Sequence, residues 1–282
     1  MALFMANAYI RHESEAKGCK MTQGKRVTAG VLLIGDELLS GRTRDINLSE
    51  IAKFLAPLGV AVAECRVVPD EQDRIVEAVN HLRQACDYVF TTGGIGPTHD
   101  DITADAIGAA FGQTVDVRDD ALAIIEEWYA KTQTPLTESR KRMARVPAEA
   151  ILIKNPVTGA PGFQTGNVYT LAGVPKIARA MLEDVAHRIE GGAVTLSRTV
   201  ATGGLREGDL AEGLGKLAAE YPDVSIGSYP YFFEGPDGEI KRGTNLVARG
   251  TDEALLGEVV EKLADLSRSV GGKPVIDPPD AK

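Results

Sequence analysis

The sequence predicts an α/β protein: a three-layer, mostly parallel sheet between helices, followed by a smaller C-terminal α+β domain. Three observations carry this. Val27 to Ile34 (VTAGVLLI) is a continuous apolar run rich in branched residues, the pattern of a strand buried on both faces. Strand-like and helix-like segments then alternate at short spacing, the signature of a parallel sheet with crossover helices. Finally, TTGGIGPTHDD, Thr91 to Asp101, joins a strand end to a helix start through a glycine-rich turn. In open α/β sheets ligands bind beyond the carboxyl ends of strands.

Each element follows in order. After the first strand, GDELLSGRTRD reads as a loop. A helix comes next, with Ile51, Phe54, Leu55 and Leu58 on one face, Asn47 as N-cap, Glu50 three residues on and Gly59 as its stop. Val60 to Val68 is the second strand, and Asp70 starts a helix with Ile75, Val79 and Leu82 inward. Cys86 to Thr92 is the third strand, and Thr103 to Phe111 a short helix stopped by Gly112. Two helices follow, Asp119 to Lys131 and the basic Thr137 to Arg145. Ala150 to Lys154 and Val168 to Leu171 read as strands on either side of a long polar loop, NPVTGAPGFQTGN. Pro175 opens a helix running to about Ile189, since proline suits a first helical position.

Gly191-Gly192 marks a boundary. Beyond it come a strand (Ala193–Ala201), a helix (Glu207–Glu220), two strands (Asp223–Tyr231, Asn245–Arg249) and a helix (Thr251–Ser269). The expected organisation is a loose extension over 1–25, an α/β domain over 26–191, a small α+β domain over 192–271 and a mobile tail over 272–282. Met21, just ahead of the first strand, is a candidate natural start.

Composition narrows the partners. Lys and Arg number 31 against 40 Asp and Glu, a net charge of −9. This argues against nucleic acid or an anionic membrane surface, both of which need clustered positive charge. Cys19, Cys65 and Cys86 match neither a zinc pattern nor an even disulfide framework. Reduced thiols and a cytoplasmic location are the expectation. No apolar run approaches the ~20 residues that span a bilayer.

The chemistry concentrates at two loops. Gly93, Gly94, Gly96 and Pro97 force a turn that leaves backbone N–H groups bare, a seat for phosphate; Thr92 and Thr98 flank it. The plainer reading is a tight turn alone. Asp100 and Asp101 follow as a carboxylate pair, fit either to hold a cation or to favour the helix start. Asp36 and Glu37 form a second acidic pair at the same sheet edge, and oxygen-only ligands favour magnesium or manganese over zinc. Arg42 and Arg44 are fit to brace phosphates or to remain surface charge. Lys141, Arg142 and Arg145 read as a solvated helix face, and Trp128 and Tyr129 as packing. His99 lies inside the motif, and no histidine clusters with a cysteine. Neither a G-x-S-x-G elbow nor a Walker A pattern is present.

These residues carry a resemblance. GDELLSGRTRDINLSEIAKFLAPLGV, VVPDEQDRIVEAV and CDYVFTTGGIGPTHDDIT, in that order, resemble the molybdopterin-binding-like domain of the competence/damage-inducible protein A (CinA) family. The resemblance continues through Asn155, Gly159 to Gly162 and Gly173-Val174-Pro175, and more loosely over 193–270. It implies a metal-dependent pyrophosphatase that cleaves ADP-ribose to AMP and ribose 5-phosphate. In the related molybdenum-cofactor enzymes the same domain binds the pterin and helps to adenylylate it. Long family members add a C-terminal amidase domain that this chain is expected to lack. The family often has Asn at position 36 and Pro at position 172, where this chain has Asp36 and Ala172.

The expected site therefore combines Thr92, Gly93, Gly94, Gly96, Pro97, Thr98, Asn155 and Gly159 as ligand-binding residues. Asp36, Glu37, Asp100 and Asp101 are expected around a divalent ion (magnesium, manganese or cobalt), with one of the carboxylates free as general base. Asp45 and Asn47 are expected to bind ribose or orient water. The ligand is a phosphorylated nucleotide or a pterin. The alternatives are a molybdopterin-binding or adenylylating protein, and a nucleotide sensor without turnover. A homo-oligomer, dimer or trimer, is expected. The small domain resembles a KH-like RNA-binding unit in outline but lacks a G-x-x-G clamp, so no nucleic acid is expected.

Overall fold

The computed structural model describes residues 26–234, 238 and 240–279. The expected N-terminal extension lies outside the described residues. The chain divides into two compact units, the first ending at Ala193 and the second beginning at Val194.

The first unit runs β1 (Val27–Ile34), α1 (Asp36–Leu39), α2 (Asn47–Leu55), β2 (Val60–Val68), α3 (Gln72–Ala85), β3 (Tyr88–Thr92) and α4 (Thr103–Phe111). It continues through β4 (Val115–Val117), α5 (Asp119–Lys131), α6 (Glu138–Lys141), β5 (Arg145–Pro147), β6 (Ile151–Ile153), β7 (Gly162–Thr165), β8 (Val168–Leu171) and α7 (Pro175–Val185). Among the described residues six strands form its main sheet in the order β2-β1-β3-β8-β7-β6. The first four are parallel, and β7 and β6 add antiparallel.

The apolar run of β1 explains the layering. Leu32 and Ile34 point to one face, where they meet Ile75, Val79 and Leu82 of α3 and Ile107 of α4. Val31 and Leu33 point to the other, against Ile51 and Leu55 of α2 and Met181 and Leu182 of α7. A strand covered on both sides has no polar face to alternate with. Full burial of each such side chain contributes roughly 1.5–3 kcal/mol. Phe90 and Tyr169 stack across β3 and β8, with ring centroids 5.1 Å apart.

Several expectations change. GDELLSGRTRD is not wholly loop, because Asp36–Leu39 closes one helical turn. Asn47 does not cap α2: Asp45 does, accepting the N–H groups of Asn47 and Leu48 at 3.1 Å each. The third helix starts at Gln72 rather than Asp70. The strand expected from Cys86 begins at Tyr88, since Cys86 closes the end of α3 by donating its N–H to Leu82. The basic helix expected to Arg145 stops at Lys141, passes through a 3-10 turn (Arg142–Ala144) and becomes β5. It must stop there because β5 pairs antiparallel with β4, itself unforeseen. The polar loop 155–167 contains β7, whose Phe163 is buried and whose hairpin with β8 turns on Gly166 and Asn167. The α7 helix ends at Val185, followed by a 3-10 turn to Arg188.

The second unit comprises β9 (Leu196–Ala201), α8 (Glu207–Glu220), β10 (Ser225–Glu234), β11 (Ile240–Gly250), α9 (Glu253–Ser269) and β12 (Val275–Ile276). Its strands order as β10-β11-β9-β12, all antiparallel. Val200, Leu246 and Ala248 of the sheet pack on Leu210 of α8 and on Leu256, Val260 and Leu263 of α9. The hairpin strands are longer than expected, and the tail is not wholly loose, since β12 pairs with β9. Among the described residues no helix is long and apolar enough to cross a membrane.

Candidate ligand site

The carboxyl ends of β1, β2, β3 and β8 share one edge of the sheet, and the sequence-predicted residues meet there. The centre is the turn after β3. Gly94 sits at φ +65°, and a Cβ on it would stand 2.2 Å from Thr103 Oγ1. Thr103, the first residue of α4, fastens the turn. Its hydroxyl donates to the Gly93 carbonyl at 2.9 Å, and its N–H to the Gly94 carbonyl at 3.0 Å. With those carbonyls held, the N–H groups of Gly94, Ile95 and Gly96 donate to no protein acceptor among the described residues. Such a run of bare donors suits a phosphate or carboxylate.

Beyond Pro97 the turn is clamped again. Thr98 donates its N–H to Asp101 Oδ2 at 2.8 Å, and its hydroxyl donates to the same oxygen. Asp101 is therefore drawn inward to organise the turn instead of standing free beside Asp100. Asp100 is exposed. His99 is fully exposed, with Nδ1 3.9 Å from Asp100 Oδ1.

Asn47 ties three loops together. Buried in α2, it donates Nδ2 to the Gly173 carbonyl after β8 at 2.7 Å and to Thr92 Oγ1 at the end of β3 at 3.4 Å. Its Oδ1 is buried without a partner. Asp45 is occupied as the α2 cap, so its geometry is that of a brace rather than a ribose contact. Asn155 is likewise a brace. It accepts from the N–H groups of Val157 and Thr158 and donates to Thr158 Oγ1 and the Ala160 carbonyl. Gly159 packs on the Trp128 indole, and a Cβ there would lie 2.3 Å from Cγ.

The acidic edge includes one residue that sequence reasoning did not select. Asp70, at the end of β2, accepts the Asp36 N–H at 3.0 Å. Burial pushes its carboxyl up, and the charges of Asp36, Glu37 and Asp100 push it further. These groups offer only carboxylate oxygens, the donors a hard divalent cation takes. The four acids expected around one ion are not gathered: Asp101 is held by Thr98, and among the described residues no group of three or more acids, histidines or cysteines is placed to hold a metal. The signal for Asp70 was its place just after a strand, at the edge where Asp36 and Asp100 also lie.

The basic residues of 141–145 are not one solvated face. Arg145 forks onto Asp105 at 2.7 and 2.9 Å. Arg142 turns toward the glycine turn and lines a cavity with Gly94, Gly96, Asp101 and Arg145. Sequence reasoning missed it because a helix through Arg145 would have placed it differently. Arg42 and Arg44 are exposed and in no ion pair among the described residues.

Comparison with known proteins agrees with this architecture. The family described as "Probable molybdopterin binding domain" matches residues 30–191, and that described as "FAD synthase, middle domain" matches residues 195–270. A protein of Pyrobaculum arsenaticum is 35% identical over 88% of this chain and 97% of its own length. A CinA-like protein of Geobacter metallireducens is 32% identical over 86% of this chain, which spans only 59% of that relative. The crystal structure of the protein CinA with unknown function from Thermoplasma acidophilum superposes with a TM-score of 0.53 at 35% identity, over 58% of this chain and 99% of that one. A match over most of the first unit, joined to CinA-like relatives along most of the chain, fixes the family: this chain belongs to the CinA-like proteins and carries their molybdopterin-binding-like domain.

Proposed function

We propose that the first unit binds a phosphorylated small molecule of the pterin type at the carboxyl edge of β1, β2, β3 and β8. The observation that carries this is the run of three uncommitted N–H groups at Gly94, Ile95 and Gly96, in a domain matching a molybdopterin-binding family. The turn is built in advance: Thr103 holds its carbonyls and Asp101 holds Thr98, so little ordering remains to oppose binding. Titrating the protein with a stable oxidised pterin phosphate, followed by pterin fluorescence, tests the reading. Saturable binding that is lost with the dephosphorylated pterin is expected; equal binding of both would refute it.

The acidic edge favours a second reading, metal-assisted hydrolysis of a nucleotide diphosphate such as ADP-ribose. Among the described residues Asp36, Asp70 and Asp100 form no ready-made cation site, so a divalent cation would arrive with the diphosphate and meet these acids there, supplying charge neutralisation and activation of water. Burial first, and then the charges of Asp36, Glu37 and Asp100, raise the Asp70 carboxyl, and an incoming cation would relieve the second of these. In this reading the bare N–H groups orient the diphosphate. Incubation with ADP-ribose and magnesium, manganese or cobalt distinguishes the two. AMP release supports hydrolysis, and binding without AMP leaves a nucleotide-binding protein without turnover.

A further inference from the structure

The main sheet leaves one long strand edge open. β2 is the outermost strand beside β1, and among the described residues no strand pairs with its other side. The other edge strands are poorer templates. β6 spans only Ile151–Ile153 and β12 only Val275–Ile276, while β10 is interrupted by Pro230, which has no N–H to donate. β2 runs Val60–Val68 and contains neither proline nor lysine. The Val68 carbonyl accepts the Gly35 N–H at 3.2 Å, so Val68 turns its backbone toward the β1 side. Backbone direction alternates along a strand. Arg66 and Glu64 therefore also turn inward, and Cys65 and Val67 turn their N–H and C=O groups outward.

Side chains divide this edge into two rows. Cys65 and Val67 stand beside Val31 and Leu33 of β1, on the α2 side of the sheet. Both are exposed, Val67 by 43%. Ala63, the extra residue where the β1–β2 register shifts, is exposed too. Glu64 and Arg66 occupy the opposite, α3, side. There Glu64 accepts from Arg66 Nε at 2.6 Å and lies 3.3 Å from His81 Nε2. Charges on an edge strand normally discourage a second strand. Here they have opposite signs and flank Cys65 symmetrically, so the strand complements itself. In an antiparallel pair centred on Cys65, Glu64 falls opposite Arg66 of a second copy, and Arg66 opposite its Glu64. Moving the centre to Glu64 sets two glutamates face to face, and moving it to Arg66 sets two arginines face to face. Both are destabilising, so charge selects the Cys65-centred register.

We propose that β2 is a homodimer interface, in which the β2 strands of two copies pair antiparallel about Cys65 and continue the main sheet across a two-fold axis. The contact is isologous, so each favourable charge pair occurs twice. The outward N–H and C=O groups of Cys65 form the centre of the ladder. Glu64 and Arg66 take the non-hydrogen-bonded positions, where facing side chains approach most closely, with Cα atoms about 4.5 Å apart. Val67 falls opposite Ala63 and gives up its exposure. Pairing also closes an edge that otherwise stays open to unlike strands. The proposal is independent of the ligand reading, since no residue of the glycine turn takes part.

The test joins sedimentation across a concentration series to disulfide trapping with diamide, which accepts the two electrons released when two thiols join. Facing cysteines at a hydrogen-bonded position have Cα atoms about 5.5 Å apart, within the span that a disulfide bridges. In a Cys19→Ser/Cys86→Ala background a reducible dimer should form, and adding Cys65→Ser should abolish it. Glu64→Arg and Arg66→Glu each turn both cross-strand pairs into like-charge pairs, and each should weaken dimerisation on the order of tenfold or more. Mixing these two variants sets positive opposite negative at both positions, so a heterodimer should form where neither homodimer does. A loss of folding cannot be rescued by mixing, because each variant lacks its own Glu64–Arg66 pair. A monomer at every concentration overturns the proposal and leaves the edge to an unlike partner. Dimerisation equal in the intact chain and both charge variants places the dimer on another surface and overturns it as well. Cys65 trapping that survives both charge variants unchanged is collisional and has the same consequence.

Discussion

Gly94→Ala tests whether the ligand turn is as tightly built as its contacts indicate. Position 94 has φ +65°, and holding an L-residue in left-handed backbone costs about 1–2 kcal/mol. The new methyl would also stand 2.2 Å from Thr103 Oγ1. That hydroxyl must then leave the buried Gly93 carbonyl, to which it donates at 2.9 Å. An orphaned buried acceptor costs about a further 1–3 kcal/mol. The combined loss is about 2–5 kcal/mol. At about 2–4 °C per kcal/mol for a unit of this size, the midpoint should fall by roughly 4–20 °C. Gly41→Ala is the control, since Gly41 has φ +72° but nothing within 4 Å of an added Cβ; it should show the backbone cost alone. Both are read by thermal and urea unfolding followed by circular dichroism. In a Thr103→Ala background the extra cost of Gly94→Ala should shrink to the Gly41 level, the coupling a double-mutant cycle detects. Equal losses at 94 and 41 in the native background would refute the fastening of the turn by Thr103.

Four further outcomes follow from the same contacts. Asp45→Ala should cost about 1 kcal/mol by uncapping α2, while Asp45→Asn keeps most of it, as urea midpoints will report. Asp70 has its carboxyl raised above 3.8 by burial and by neighbouring charge. The fold favours the protonated acid, so its contribution is full below pH 3.8 and lost as pH rises through the raised value; Asp70→Asn should therefore stabilise at neutral pH and lose that advantage in acid, seen as crossing midpoint-against-pH curves. The Tyr169 phenol is pushed from 10.0 up to about 12, first by burial. Its contribution holds below pH 10 and disappears as pH rises through about 12, so Tyr169→Phe should resist alkaline unfolding better than the intact chain. If the edge hydrolyses ADP-ribose, Asp100→Asn should reduce AMP release by roughly a hundredfold through loss of cation charge, whereas full activity in both Asp100→Asn and Asp101→Asn at limiting metal would remove these acids from cation binding.

The parts of the fold legible in the sequence are those where one interaction dominates. The branched run of β1 has no polar alternation because both faces are covered, and that alone gives the layering. The glycine turn, the strand before it and the helix after it are local, so residues 88–111 were readable in place. What escaped depended on distant partners. The helix was read on to Arg145, the first residue of β5, because the reason for the chain to extend there, β4, lies some thirty residues earlier. Strand β7 hid in a stretch rich in glycine and proline, although Gly166-Asn167 is a two-residue hairpin signal. In the site the glycines and Thr98 were legible from residue type, but the divisions of labour were not. Asp101 and Asp45 carry the same carboxylate as Asp100, and only their neighbours show that they brace backbone. Arg142 escaped because its surroundings come from residues 94–104 and 161–163.

The packing of Trp128 on Gly159 gives the molecule an optical reporter of its own. The chain has one tryptophan, and its indole lies directly against the loop held by Asn155. That loop runs on through Pro161 into the cavity wall faced by Arg142. Indole emission shifts with the polarity around the ring. Intrinsic fluorescence of the unlabelled protein therefore watches a single place, the loop of Gly159 that leads to Pro161 beside the glycine turn. Displacement of that loop on ligand binding would appear as a wavelength shift in real time, with no dye, no substituted residue and no second tryptophan to blur it.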